Sequence, residues 1–122
     1  MNVMTITDQD YTTRQNLYSL TIHISGESES RIAPFSTETI RVETKADDYI
    51  FSNCRDLHLE PVHGAGQIID VIVDAGVFAS DMSDAIQRME QLQFLDVWGL
   101  GGVLQLTPPR ITVLHADMIY DH

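Results

Sequence analysis

Positive charge is what this sequence has least of. Lys45 is its only lysine, and seven Lys plus Arg stand against eighteen Asp plus Glu, for a net charge of −11. Such a surface repels phosphate backbones and anionic headgroups, so direct binding to nucleic acid or to a membrane is not expected. The complementary partner is a basic protein or a multivalent cation. The acids are also dispersed: residues 1–61 hold ten acids and five bases, and residues 62–122 hold eight acids and only Arg88 and Arg110. No block of like charge marks a disordered arm, so these charges belong on the face of a folded body.

Cysteine is nearly absent. With Cys54 alone, no intramolecular disulfide can form, and the fold must rest on its core. Long apolar runs are missing too. Asp70 and Asp74 interrupt the most apolar segment, and nothing reaches the roughly 20 apolar residues of a membrane helix. The opening MNVMTITDQD has neither a basic n-region nor an apolar h-region, so no cleaved secretion signal is expected and the expected address is cytoplasmic. Internal repeats, low-complexity tracts, CxxC and HxxxH pairs and the GxSxG elbow are all lacking.

What remains is 122 residues with 43% hydrophobic content, enough for a single domain over 1–122 with a real core. Residues 1–14 read as loosely attached. LYSLTIHI (17–24) alternates, with Tyr18, Leu20, Ile22 and Ile24 on one face and Ser19, Thr21 and His23 on the other. This is the pattern of a half-buried strand. SGESESRIAP (25–34) reads as a loop. TETIRVET (37–44) alternates again, with Ile40 and Val42 inward, and YIFS (49–52) and DLHLEP (56–61) are two short strand candidates.

QIIDVIVDAGVF (67–78) is ambiguous: Ile68, Ile69, Ile72, Val73 and Val77 make a helical stripe, while the β-branched content favours a strand. The reading leans to a helix, because that puts both aspartates outside. ASDMSDAIQRMEQLQFL (79–95) is the clearest helix: Ser80 or Asp81 can cap it, Asp84 suits the positive end of its dipole, and Met82, Ala85, Ile86, Met89 and Leu92 recur at helical spacing. VLQL (103–106) and ITVL (111–114), joined by TPPR, read as a hairpin. The expected fold is α+β: a mainly antiparallel sheet of about five to six strands with one or two helices between residues 67 and 95.

WGLGGVLQL (98–106) resembles a ligand-cradling loop at first sight. A phosphate loop, however, needs a strand before it and a helix after it. Here a helix precedes and a strand follows, so Gly99 is expected to stop the helix, and Gly101 and Gly102 to let the chain turn beside Trp98. Cys54, His58 and His63 are weak metal candidates. As ligand types they suit zinc, and in a regular strand Cys54 and His58 would share a face, but His63 lies beyond Pro61. His115 and Asp117 lie two apart, on one face of a strand, with no activated serine or thiol frame around them.

No cofactor is expected, and no catalytic residue is assigned. The leading expectation is a non-catalytic acidic protein that occupies a basic, nucleic-acid-binding surface of a protein partner, in the manner of phage or mobile-element inhibitors. The contact residues expected are Glu27, Glu29, Asp47, Asp48, Asp70, Asp74 and the aromatic anchor Trp98. Two alternatives stand beside it: a structural subunit forming a homodimer or larger assembly through the sheet edges of 17–24, 103–106 and 111–114, and a small metal-binding protein using Cys54, His58 and His63.

Overall fold

The computed structural model describes residues 16–31, 39–46, 48–64, 66–99 and 102–120. Residues 1–14, expected to be loosely attached, lie outside these. The chain runs β1 (Asn16–Ser28), β2 (Arg41–Glu43), β3 (Tyr49–Pro61), β4 (Gln67–Ala79), α1 (Met82–Glu90), β5 (Leu95–Gly99), β6 (Gly102–Leu106) and β7 (Arg110–Tyr120). The strands form two antiparallel sheets, a four-stranded one in the order β3-β4-β1-β7 and a three-stranded one in the order β2-β5-β6.

β1 and β4 are the central pair, in unbroken antiparallel register over 13 residues from Asn16↔Ala79 to Ser28↔Gln67. β4 alternates strictly along its whole length, and β1 does so from Leu17 to Ile24. Tyr18, Leu20, Ile22 and Ile24 of β1, and Ile69, Val71, Val73, Ala75, Val77 and Ala79 of β4, are buried. Their intervening side chains point to the other face, because successive residues of a strand alternate sides. The buried face shares one core with Ile40 and Val42 by β2, Leu95 and Val97 of β5, Leu104 and Leu106 of β6, and Ala85 and Met89 of α1. The smaller sheet and the helix thus close one side of the larger sheet.

The helix expected over 67–78 is a strand. Both aspartates point outward in either conformation, since 70 and 74 share parity as well as a helical face, so their positions could not discriminate. Six β-branched residues between 68 and 77, and Gly76 near the end, favour the extended form. Only one helix of the two allowed for is found in 67–95, among the described residues. α1 itself follows the sequence. Asp81 caps it by accepting a hydrogen bond from the Asp84 N–H, Ala85 and Met89 are buried, and Gln91 ends it.

Four further expectations change. The two candidates at 49–52 and 56–61 are one strand, β3, which pairs with β4 through irregularities around Cys54. Residues 25–28, read as loop, continue β1. The expected 103–106/111–114 hairpin does not form: β6 belongs to the small sheet and β7 to the large one, so Thr107–Pro109 carries the chain between layers. Gly99 does not stop a helix either. It pairs with Gly102 at the end of the β5–β6 hairpin, and Gly102 takes φ 119°, a conformation open to glycine. The expected bend is there, but it follows a strand and not a helix; Gly101, expected to help the turn, lies outside the described residues.

At the far end, Arg31 closes the β3–β4 turn. Its guanidinium donates to the carbonyls of Gly66 (3.2 Å), Val62 (3.2 Å) and Gly64 (2.6 Å). No helix among the described residues is long and apolar enough to cross a membrane.

The core and the open face should respond differently to truncation. Ile22→Ala, at a fully buried site, is expected to cost about 2–5 kcal/mol in urea denaturation. Ile50→Ala, at a residue 50% exposed, should cost less than about 1 kcal/mol.

Candidate functional site

The side of the large sheet away from the core is open and polar. β4 sends Ile68, Asp70, Ile72 and Asp74 to it, and β1 sends Thr21, His23, Ser25 and, at its end, Glu27. From β3 come Asp56, His58 and Glu60, and from β7 Arg110, Thr112, His115 and Asp117.

Register turns these into an array. Across β3 and β4, Glu60 stands opposite Ile68, His58 opposite Asp70, and Asp56 opposite Ile72. Arg55 reaches Asp74 at 2.8 Å. Each of these three rows therefore carries one carboxylate, alternating between the two strands, and Asp74 follows on β4 beside the irregular part of β3. Rows on one face recur about every 6.6 Å along a strand, and the strands lie about 4.8 Å apart. The result is a zigzag of four acids, Glu60, Asp70, Asp56 and Asp74, on a rigid backbone.

The two inner acids are held by neighbours. His23 Nε2 lies 2.9 Å from Asp70 Oδ1, the Thr21 hydroxyl donates to Asp74 at 3.4 Å, and Ser52 donates to the Asp74 carbonyl at 3.2 Å. Fixed side chains lose little rotamer freedom on binding. Asp56 and Glu60 are exposed. The Asp56 carboxylate accepts from the adjacent Leu57 N–H, at 2.9 Å. On β7, His115 and Asp117 are 3.7 Å apart and open to solvent.

The residues expected to make contacts are not all brought together. Asp70 and Asp74 sit at the centre of the open face. Glu27 and Glu29 lie at the end of β1, lining an open groove of about 680 Å³ with Ser28, Ser30, Gln105 and Thr107. Asp47 lies outside the described residues. Asp48 is exposed but engaged elsewhere, 3.1 Å from Arg88, whose Nε also reaches Asp84 at 3.2 Å. That cluster ties α1 to the start of β3, where the Tyr49 hydroxyl donates to the Arg88 carbonyl at 3.1 Å. Trp98 is half-buried in the small sheet beneath the Arg41 guanidinium, 5.1 Å from its ring centre. Its indole N–H is buried with no acceptor among the described residues. It is not part of the open face.

The metal candidates are separated as well. The irregularity in β3 puts Cys54 opposite Val73, on the core side, and His58 opposite Asp70, on the solvent side; His63 is exposed in the following turn. A regular strand would have kept the first two together, and the extra residue undoes that parity. No group of three His, Cys, Asp or Glu among the described residues is arranged to hold a metal ion. Burial pushes the Cys54 thiol upward, against a hydrogen bond to the Asp56 carbonyl that acts the other way. The thiol therefore stays protonated and weakly nucleophilic near neutrality.

Sequence reasoning named Asp70 and Asp74 but missed Asp56, Glu60 and Arg110 as members of the same face. The parity of DLHLEP places 56, 58 and 60 on one side of their own strand. Their position relative to Asp70 depends on register, which parity alone does not give.

The chain matches no known family model, no curated protein and no solved structure.

Two outcomes follow. The amide and hydroxyl of Ser80, together with Arg88, hold the Asp84 carboxyl below the ordinary aspartate range. A carboxyl depressed in the folded state stabilises it above its unfolded pKa, and that contribution is lost as pH falls through the folded value. Asp84→Asn should therefore be less stable than the parent at neutral pH, with the gap closing in acid, read by thermal melts across pH. Cys54 should react with iodoacetamide roughly tenfold more slowly in the folded protein than after unfolding in urea.

Proposed function

We propose that this protein is a non-catalytic acidic binding protein whose open sheet face occupies a basic surface of a protein partner. The observation that carries this reading is the zigzag of Glu60, Asp70 and Asp56, one carboxylate in each of three successive rows of the β3–β4 ladder, with Asp74 next along β4. A regular file of fixed negative charge is the feature that a Lys/Arg groove shaped for a nucleic-acid backbone recognises. In such a groove the protein takes the place of the nucleic acid and blocks its access, the mode of action of a phage- or mobile-element-type inhibitor. The net charge of −11 adds long-range steering, so association is fast and salt-sensitive. The whole surface need not take part. The acids around α1 are engaged with Arg88 and serve the fold.

The test uses Asp56 and Glu60, because neither anchors another strand. Capture of basic proteins from the native host should weaken steeply as salt is raised. The doubly neutralised variant, Asp56→Asn with Glu60→Gln, should bind the captured protein roughly tenfold less tightly with stability unchanged. Equal binding by the variant, or capture indifferent to salt, would contradict the proposal.

A further inference from the structure

We infer that β7 is a self-complementary edge through which two copies of this chain pair antiparallel about a two-fold axis. Among the described residues no strand pairs with the outer side of β7, which is 11 residues long. Natural edges of that length are usually guarded by lysine or proline, and Arg110–Tyr120 contains neither. The other edge of the same sheet, β3, ends in Pro61, and the small sheet's edges, β2 and β6, span three and five residues.

The apolar exposure is concentrated on this strand. Its ladder with β1 skips two residues: Leu114, between the pairs Thr21↔His115 and Ile22↔Val113, and Ile119, between Tyr18↔Met118 and Leu17↔Tyr120. These two extra residues are the most exposed large hydrophobics of the described chain, at 53% and 59%, with Met118 beside them at 45%. A bulge of this kind re-aims its extra side chain, and exposed apolar groups on an open edge favour a covering partner.

Charge chooses the partner and the register. Counting Leu114 as the extra residue, Arg110 and Thr112 lie as far before Val113 along the ladder as Asp117 and His115 lie after it, all four on the open face. A two-fold axis at Val113 sets Arg110 against the partner's Asp117 and Thr112 against the partner's His115, and repeats both contacts by symmetry. On the core side Ile111 meets the partner's Ala116. Arg110 is exposed and forms no ion pair among the described residues, so it is available for this role. An isologous interface requires a patch complementary to itself, and β7 has that property in both charge and parity. The two large sheets then join into one, with the acid zigzags on the strands farthest from the axis.

The experiment is analytical ultracentrifugation of the full chain over micromolar to submillimolar concentration, with circular dichroism as a check on folding. The parent should form a species of twice the 13.7 kDa chain mass. Arg110→Asp or Asp117→Arg alone creates two like-charge contacts and should weaken the dimer about tenfold, whereas the double swap Arg110→Asp with Asp117→Arg should restore it. Leu114→Lys should abolish it. Arg110, Leu114 and Asp117 are all exposed, so folding is not at stake. A parent that stays monomeric overturns the inference, and so does a dimer unmoved by these substitutions or not rescued by the double swap.

Discussion

The structure depends on the pairing of β1 with β4. Thirteen residues of each run in unbroken register, and β4 throughout and β1 from Leu17 to Ile24 alternate between faces, so the pair divides the molecule into an apolar side and a polar one. A slip of one residue in either strand would send every buried side chain to solvent, so the same alternation that builds the core also fixes the register. β3 and β7 extend this pair outward, each with irregularities. The small sheet and α1 cover the apolar side, and the polar side is left to carry charge.

That division explains why carboxylates can sit mid-sheet at low cost. Asp70 and Asp74 occupy the centre of a four-stranded sheet, a place where unpaired acids would be costly if both faces were covered. Here one face meets water, and His23, Thr21 and Arg55 supply hydrogen bonds there. The outcome is a preordered charged surface. Its members come from four strands, so its shape is a property of the sheet and of no single segment.

Much of this was legible in the sequence where local pattern alone decides. Tyr18, Leu20, Ile22 and Ile24, with Ile40 and Val42, are buried as their alternation implied, and α1 begins at its Asp81 cap. The helix expectation for 67–78 fails because its criterion, outward aspartates, is met equally by a strand, and the β-branched content decides for the strand. The Cys54/His58 face and the 103–106/111–114 hairpin failed for a different reason. An extra residue in β3 and a change of sheet after Leu106 are set by tertiary packing, and no local signal announces them. The acidic character was visible in the composition. The file of four acids was not, because it exists only once β3 and β4 are in register. Trp98 was singled out for its rarity, but Arg41 covers its ring and it belongs to the smaller sheet.

The central claim, that the β1–β4 ladder organises everything else, is open to one direct measurement: native-state amide hydrogen exchange resolved by residue. The amides of β1 and β4 should be the slowest in the molecule and exchange through global unfolding, with those of β3 and β7 exchanging through smaller openings. Fast exchange across Gln67–Ala79, or a protected core located in another pair of elements, would contradict the account.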